Sequence, residues 1–279
     1  MPYFLSRAMA VLLAGTTLFT PLATTNAFGQ AAIIKDMILN DPEAPTGGNP
    51  KGDVTIVAFL DYNCPFCKRS SKDLEKVVKE DGNIRLVYKD WPVLAPTSFY
   101  GAQLAIASKY QGKYETVHKA LMAIPGFGIP QEEMLEAVSK AGVDMKRLNA
   151  DLLAHANDID TLVQRNLSIG DALSFAGTPV YLVGPYKTST LDVDGFKKVI
   201  AAARARKAES KSFRTRRNRL SSRRARPPSS ARRFRSRGPD RWQKKDKMVI
   251  SISPPGPRPI GIIGAASYEA VDLSGAVLQ

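Results

Sequence analysis

The chain has 279 residues, 44% of them apolar and 24% charged, enough to bury a full core as one large domain or two small ones. The net charge of +14 is uneven: residues 1–206 carry 22 Lys and Arg against 21 Asp and Glu, whereas residues 207–279 carry 18 against 5. The part with the composition to fold is near neutral, which excludes a whole-domain electrostatic grip on nucleic acid and leaves function to be read from a site.

The first residues have the pattern of an export signal: Arg7, an apolar run through Val11, Leu12, Leu13, Leu18 and Phe19, then Thr25-Asn26-Ala27 as a cleavage site. The run is short for a bilayer span of about 20 residues and is broken by Pro21. Residues 1–27 are therefore expected to be removed, leaving a soluble chain in an oxidising, exported compartment such as a periplasm. A short helix is predicted within Ala31–Leu39, stopped by Asp41-Pro42 and Gly47-Gly48-Asn49-Pro50. Val54–Leu60 is apolar and β-branched with little alternation, the pattern of a strand covered on both faces. Asp61-Tyr62-Asn63 ends it. A helix is predicted from Cys64, with Cys67, Ser71, Leu74 and Val78 on one face and Asp81-Gly82 as its stop.

Ile84–Tyr88 reads as a second strand. From Pro96 to Leu173 the spacing is helical, through Phe99, Ala102, Ile106 and Tyr110, then Tyr114, Val117, Leu121 and Met122, with further helices at Glu132–Lys140, Met145–Ala154 and Ile159–Leu173. Strand character returns at Val180–Val183 after Gly177-Thr178-Pro179, and Val193–Ala205 closes with a helix. The sum is one α/β domain over residues 28–206, with a helical insertion between two sheet-forming halves. Residues 207–279 are expected to form a disordered basic tail, because Lys211–Lys247 is mostly Arg, Ser and Pro and has too few apolar residues for a core.

Chemistry concentrates in Cys64-Pro65-Phe66-Cys67, which holds both cysteines of the chain at a strand-to-helix junction. One helical turn places their Cα atoms roughly 5 to 6 Å apart, so a disulfide closes and opens with little backbone movement. So small a loop constrains the unfolded chain weakly, which favours a cycling bond over an inert staple. At the helix start, unpaired N–H groups and the positive end of the dipole favour the Cys64 thiolate, making it the nucleophile. Cys67, a turn later on the inward face, is then the resolving thiol, and Pro65 suits the first turn because it needs no N–H partner. Half a zinc site competes, but no second cysteine pair exists and His118 and His155 are too far apart in sequence. Haem attachment fails because Lys68, not His, follows Cys67. No cofactor or metal is expected. His118 is read as a structural histidine, His155 as a surface one, and Trp91 and Tyr62 as core or rim.

Phe59-Leu60-Asp61-Tyr62-Asn63-Cys64-Pro65-Phe66-Cys67-Lys68 resembles the active-site stretch of the bacterial DsbA-like thiol-disulfide oxidoreductases. Tyr88-Lys89-Asp90-Trp91-Pro92, Gly112-Lys113-Tyr114 with His118, and Gly177-Thr178-Pro179 resemble further landmarks of that family in the same order. The resemblance spans roughly residues 40–206 and implies a thioredoxin-like fold. It also implies that Pro179 is a cis-proline facing the cysteines, with Thr178 before it, and that substrate polypeptides bind there as an added strand. Where many relatives carry a Glu six residues before the first cysteine this chain has Ala58, and Asp61 or Lys89 is expected to take over that supporting role. Phe66 offers the sulfur no polar hydrogen, so Cys64 is expected to titrate at about 4.5 to 6.5.

The expected activity is oxidation of cysteine-bearing exported polypeptides by a monomer that is recharged by a membrane-bound redox partner, without nucleic acid. The same chemistry run as an isomerase or reductase is the near alternative. A protein that binds anionic surfaces through its tail is the distant one, against the plainer reading of the tail as a solvated extension.

Overall fold

The computed structural model describes residues 33–224 and 269–270. The expected signal segment and the chain from 225 onward, apart from those two residues, lie outside the described residues. Helix α1 covers residues 33–39. Strand β1 (Thr46–Gly48) follows, then β2 (Val54–Leu60), α2 (Pro65–Asp81) and β3 (Ile84–Asp90). The helical insertion is α3 (Pro96–Ser108), α4 (Tyr114–Ala123), α5 (Gln131–Lys140), α6 (Met145–Ala154) and α7 (Ala156–Ala172). The chain then returns as β4 (Val180–Val183), β5 (Tyr186–Thr188), α8 (Val193–Arg224) and the two-residue β6 (Glu269–Ala270).

The sheet order is β1-β3-β2-β4-β5-β6, with β2 and β3 parallel and every other pair antiparallel. Apolar layers on both faces explain the unbroken apolar run of β2. Ile56, Ala58 and Leu60 join a core with Leu74 and Val77 of α2, Leu104 of α3, Leu121 of α4 and Phe196 and Val199 of α8. Val57 and Phe59 face the other way, onto Ile38 of α1, Trp91 and Ile169 of α7. That second layer is tight: a Cβ on Gly170 would stand 2.5 Å from the Trp91 ring, so glycine is what lets α7 approach. Gly82 (φ 66°) terminates α2, its N–H reaching the Val78 carbonyl.

The α/β class, the insertion and the thioredoxin-like layout are those expected, but the boundary at 206 is not. Helix α8 continues unbroken to Arg224, so residues 207–224 are helical rather than disordered. A poor core-forming composition excludes burial, not helix. Between Gly195 and Pro227 there is neither Gly nor Pro, and Arg, Ala and Lys predominate. The packed part of α8, with Phe196, Val199, Ile200 and Ala203 buried, supplies the nucleus from which those residues propagate.

Candidate active site

Three buried side chains between β2 and α2 fix where the cysteines stand. Asp61 Oδ1 accepts from the Asn63 N–H (2.7 Å) and the Ser98 hydroxyl (2.8 Å), while Oδ2 accepts from the N–H groups of Val93 (2.8 Å) and Leu94 (3.0 Å). Asn63 donates to Thr97 Oγ1 (3.2 Å) and Ser98 Oγ (3.0 Å) and accepts from the Ile129 N–H (2.8 Å). Tyr62 reaches inward, its hydroxyl 2.9 Å from Asp90 Oδ1 and 3.0 Å from His118 Nδ1. The lead-in to the helix is thus bonded to the loop after β3, to α3 and α4, and to the loop before α5.

Cys64 is the N-cap of α2, in extended backbone, and its Sγ accepts from the Cys67 N–H at 3.2 Å. The Thr178–Pro179 peptide bond is cis, and the Cys64 thiol points to the Thr178 carbonyl at 3.4 Å. Both cysteines are free thiols and buried, so exposure does not tell them apart. Electrostatics does. The Cys64 thiol is lowered to about 6, first by the hydrogen bond from the Cys67 thiol, against the pull of burial, and further by the Thr178 hydroxyl and the N–H groups of Cys67 and Phe66. Cys67 is pushed far up, first by burial and then by the neighbouring Cys64. The value for Cys64 lies within the range expected from its place at a helix start.

Thr178 Oγ1 is buried with no hydrogen-bond partner while both cysteines are thiols. It is a donor held ready for a thiolate. Thr178→Val keeps the shape and removes that donor. A hydrogen bond to a charged group contributes about 1.5 to 3 kcal/mol, so the variant is expected to raise the Cys64 pKa by about one unit or more. Ultraviolet thiolate absorbance followed against pH measures this, and an unmoved midpoint would remove the hydroxyl from the site.

Of the other residues singled out in the sequence, Pro65 opens α2, and Phe66 is half exposed with the Arg69 guanidinium 4.7 Å above its ring. Asp61 is at the site, but both its oxygens are occupied by the donors named above, so it organises loops. Lys89 is elsewhere. Successive residues of β3 point to opposite faces, and Lys89 points away from Tyr88 and Asp90, onto α1. There its ammonium, fully buried, bonds Asp41 Oδ2 at 2.9 Å and the Met37 carbonyl at 3.0 Å, and Asp41 also takes Arg165 at 2.9 Å. It is a structural ion pair and not a partner of the thiols.

Two features escaped the sequence reading. Lys68 is one: buried next to Cys67 in the chain, it donates to the Gly126 carbonyl at 2.9 Å, and burial lowers its pKa while the charges of Asp61 and Glu133, and then of the cysteines, oppose that shift. The second is a polar cluster behind Tyr62. Asp90 accepts from the hydroxyls of Tyr62 (2.9 Å) and Tyr114 (3.0 Å to each oxygen), and Tyr62 meets His118. Burial raises Asp90 to about 7 and, with the charge on Lys119, lowers His118 to about 3. His118 is therefore neutral, and as Tyr62 donates to Asp90 it is the His118 Nδ1–H that donates to Tyr62. All four of these residues belong to sequence landmarks already noted; only the fold makes them one cluster.

The family described as Thioredoxin matches residues 40–202. Among solved structures, a thioredoxin-like oxidoreductase from Silicibacter pomeroyi DSS-3 is 35% identical, covers 61% of this chain and 98% of its own, and superposes with a TM-score of 0.57. The thiol-disulfide exchange protein alpha-DsbA2 from Wolbachia pipientis is 25% identical, with 64% and 96% covered and a TM-score of 0.58. The catalytic domain of Proteus mirabilis ScsC is also 25% identical, with 64% and 99% covered and a TM-score of 0.55. Among curated proteins, the Na(+)/H(+) antiporter NhaA 1 of Mycobacterium sp. (strain KMS) is 25% identical over 166 residues, 56% of this chain but only 26% of that protein's length.

Proposed function

The chain belongs to the thioredoxin family as a DsbA-like thiol-disulfide oxidoreductase, and from that premise we propose that it is exported and oxidises cysteine pairs in other exported polypeptides, with Cys64 as the reacting sulfur. The observation that carries the direction is the opposed electrostatics of the two thiols. In the oxidised enzyme a substrate thiolate attacks Cys64 Sγ, the Cys64–Cys67 bond breaks, and Cys67 departs with the electron pair and takes up a proton, as its raised pKa favours. A second substrate thiolate then attacks the substrate sulfur of the mixed disulfide. The substrate disulfide forms and Cys64 leaves as a thiolate, stabilised by the groups that hold it near 6. Two electrons have moved from substrate to enzyme, and the step runs forward because the reduced enzyme is the stabilised form.

Pro179 offers no N–H and Thr178 lies against Cys64, which suits an extended substrate segment added beside the cis peptide and held by main-chain bonds. Broad substrate choice follows. In this reading the chain acts as a monomer, and a membrane-bound partner takes up the electrons and restores the disulfide. Equilibration with glutathione tests the direction. The expected potential is above about −200 mV and below about −120 mV, since Phe66 adds no donor to the thiolate. A value below about −250 mV would make the protein a reductase.

A further inference from the structure

A large share of the charge that the folded domain lacks lies on one rod. Helix α8 is fixed along the molecule by three contacts. Lys197 pairs with Glu80 at 2.9 Å, the Arg204 guanidinium bonds both Asp53 and Asp81 at 2.7 to 3.1 Å, and Lys207 donates to the Asp53 carbonyl at 2.6 Å. Asp81 ends α2 and Asp53 precedes β2, so Arg204 marks the end of the sheet where β2 begins. Cys64 stands at the other end, where β2 has finished and α2 begins. Beyond Arg204 the helix runs to Arg224, roughly 30 Å at 1.5 Å per residue. It projects from the pole opposite the cysteines.

Every residue from 205 to 219 is exposed. They include seven Lys and Arg and one acidic residue, Glu209. At helical spacing these cations surround the rod and leave no apolar stripe for a protein groove. The large apolar side chain among them is Phe213, 70% exposed, beside Arg214, Arg216 and Arg217. Flexible cationic stems around an aromatic ring match the interface of an anionic bilayer, where the charges meet phosphates and the ring lies at headgroup level. The sequence continues in the same sense, with nine further Lys and Arg between 225 and 247.

We propose that the protruding half of α8 docks the protein on an anionic phospholipid bilayer and holds the domain by the pole opposite its cysteines, leaving Cys64 free toward the compartment. The choice of a bilayer over a polynucleotide rests on the export proposed above. The activity itself is measured separately, by exchange in solution.

The test is co-sedimentation of the full chain with vesicles of equimolar phosphatidylglycerol and phosphatidylcholine or of phosphatidylcholine alone. Partitioning onto the anionic vesicles is expected to be at least about tenfold stronger and to weaken when salt rises from about 0.05 to about 0.5 M. The combined variant Lys211→Gln, Arg214→Gln, Arg216→Gln and Arg217→Gln, which keeps helix-forming residues, is expected to lose at least about tenfold of that preference. Its exchange rate with a soluble peptide disulfide stays that of the parent. Equal binding to both vesicles, or full retention by the variant, overturns the proposal. So does tighter binding to a single-stranded oligonucleotide than to the anionic vesicles at the higher salt. Slower exchange by vesicle-bound protein than by free protein overturns the opposite-pole arrangement.

Discussion

Cys67→Ser is expected to accumulate as mixed disulfides with substrate polypeptides, and Cys64→Ser to form none and to reduce turnover to the background of uncatalysed exchange. The asymmetry follows from leaving-group and nucleophile strength. Cys64, at the N-cap of α2 with donors from Cys67, Thr178 and Phe66, is the sulfur that is a thiolate near neutral pH and the one that can leave as such. Cys67 is buried with its pKa raised, so it stays protonated until it attacks a disulfide held against it. Removing Cys67 leaves a competent nucleophile and takes away the group that would release the substrate. Removing Cys64 leaves a thiol whose raised pKa keeps it protonated and a poor nucleophile. Non-reducing electrophoresis of each variant after incubation with a reduced, unfolded substrate reads the difference directly. Equal trapping by the two would reverse or abolish the assigned roles.

How far the sequence carries this site depends on whether information is local. The strand-turn-helix around Cys64 is local, and the apolar run of β2, the stop at Asp61-Tyr62-Asn63 and the proline at the first helical position are all there to be read. The sidedness of β3 is not. Nearly all its residues are buried, and Val87 and Asp90 interrupt the alternation that Arg85 and Lys89 begin, so Ile84–Asp90 does not say plainly that Lys89 faces α1 while Tyr88 and Asp90 face the insertion. A lysine inside a family landmark therefore looks like a neighbour of the thiols and is instead the buried partner of Asp41. Lys68, adjacent to Cys67 in the chain, is the nearby cation, and its role is hidden because only the loop at Gly126 reveals that its ammonium is held at the site. The polar cluster at Tyr62 is less legible still, since its hydrogen-bonded pairs are 24 to 56 residues apart and meet only once α4 packs on the sheet. Beyond Ala205 the error is of a different kind. A composition that forbids a core does not forbid order, because helix needs only propensity and a packed start.

In that cluster two buried groups titrate against each other, and separating them is expected to reveal a large pH dependence that the parent protein masks. Asp90 has a folded pKa raised from 3.8 to about 7, so its contribution is fully present below 3.8 and is lost as pH rises through 7. His118 has a folded pKa lowered from 6.5 to about 3, so folding is favoured above 6.5 and disfavoured as pH falls toward 3. Between about pH 4 and 6.5 these slopes are opposite and of similar size, so the neutral pair is carried through the window with little net pH dependence. Asp90→Asn removes one slope. The variant should then lose stability on acidification from pH 6.5 to 4 by on the order of 3 kcal/mol more than the parent, as buried neutral His118 resists the proton that the unfolded chain accepts. His118→Gln leaves Asp90 alone and should change in the opposite sense, becoming relatively more stable as the pH falls. Working with the disulfide form removes Cys64, which titrates near 6 as a thiol and would add a slope of its own. Asp53 and Asp81, lowered by Arg204, act only toward the acid end and are present in all three proteins. Urea midpoints of the oxidised parent and both variants, taken across that range, measure the slopes. Three parallel profiles would mean that Asp90 and His118 keep ordinary titration in the folded protein, and the buried pair would lose its place as the counterweight behind Tyr62.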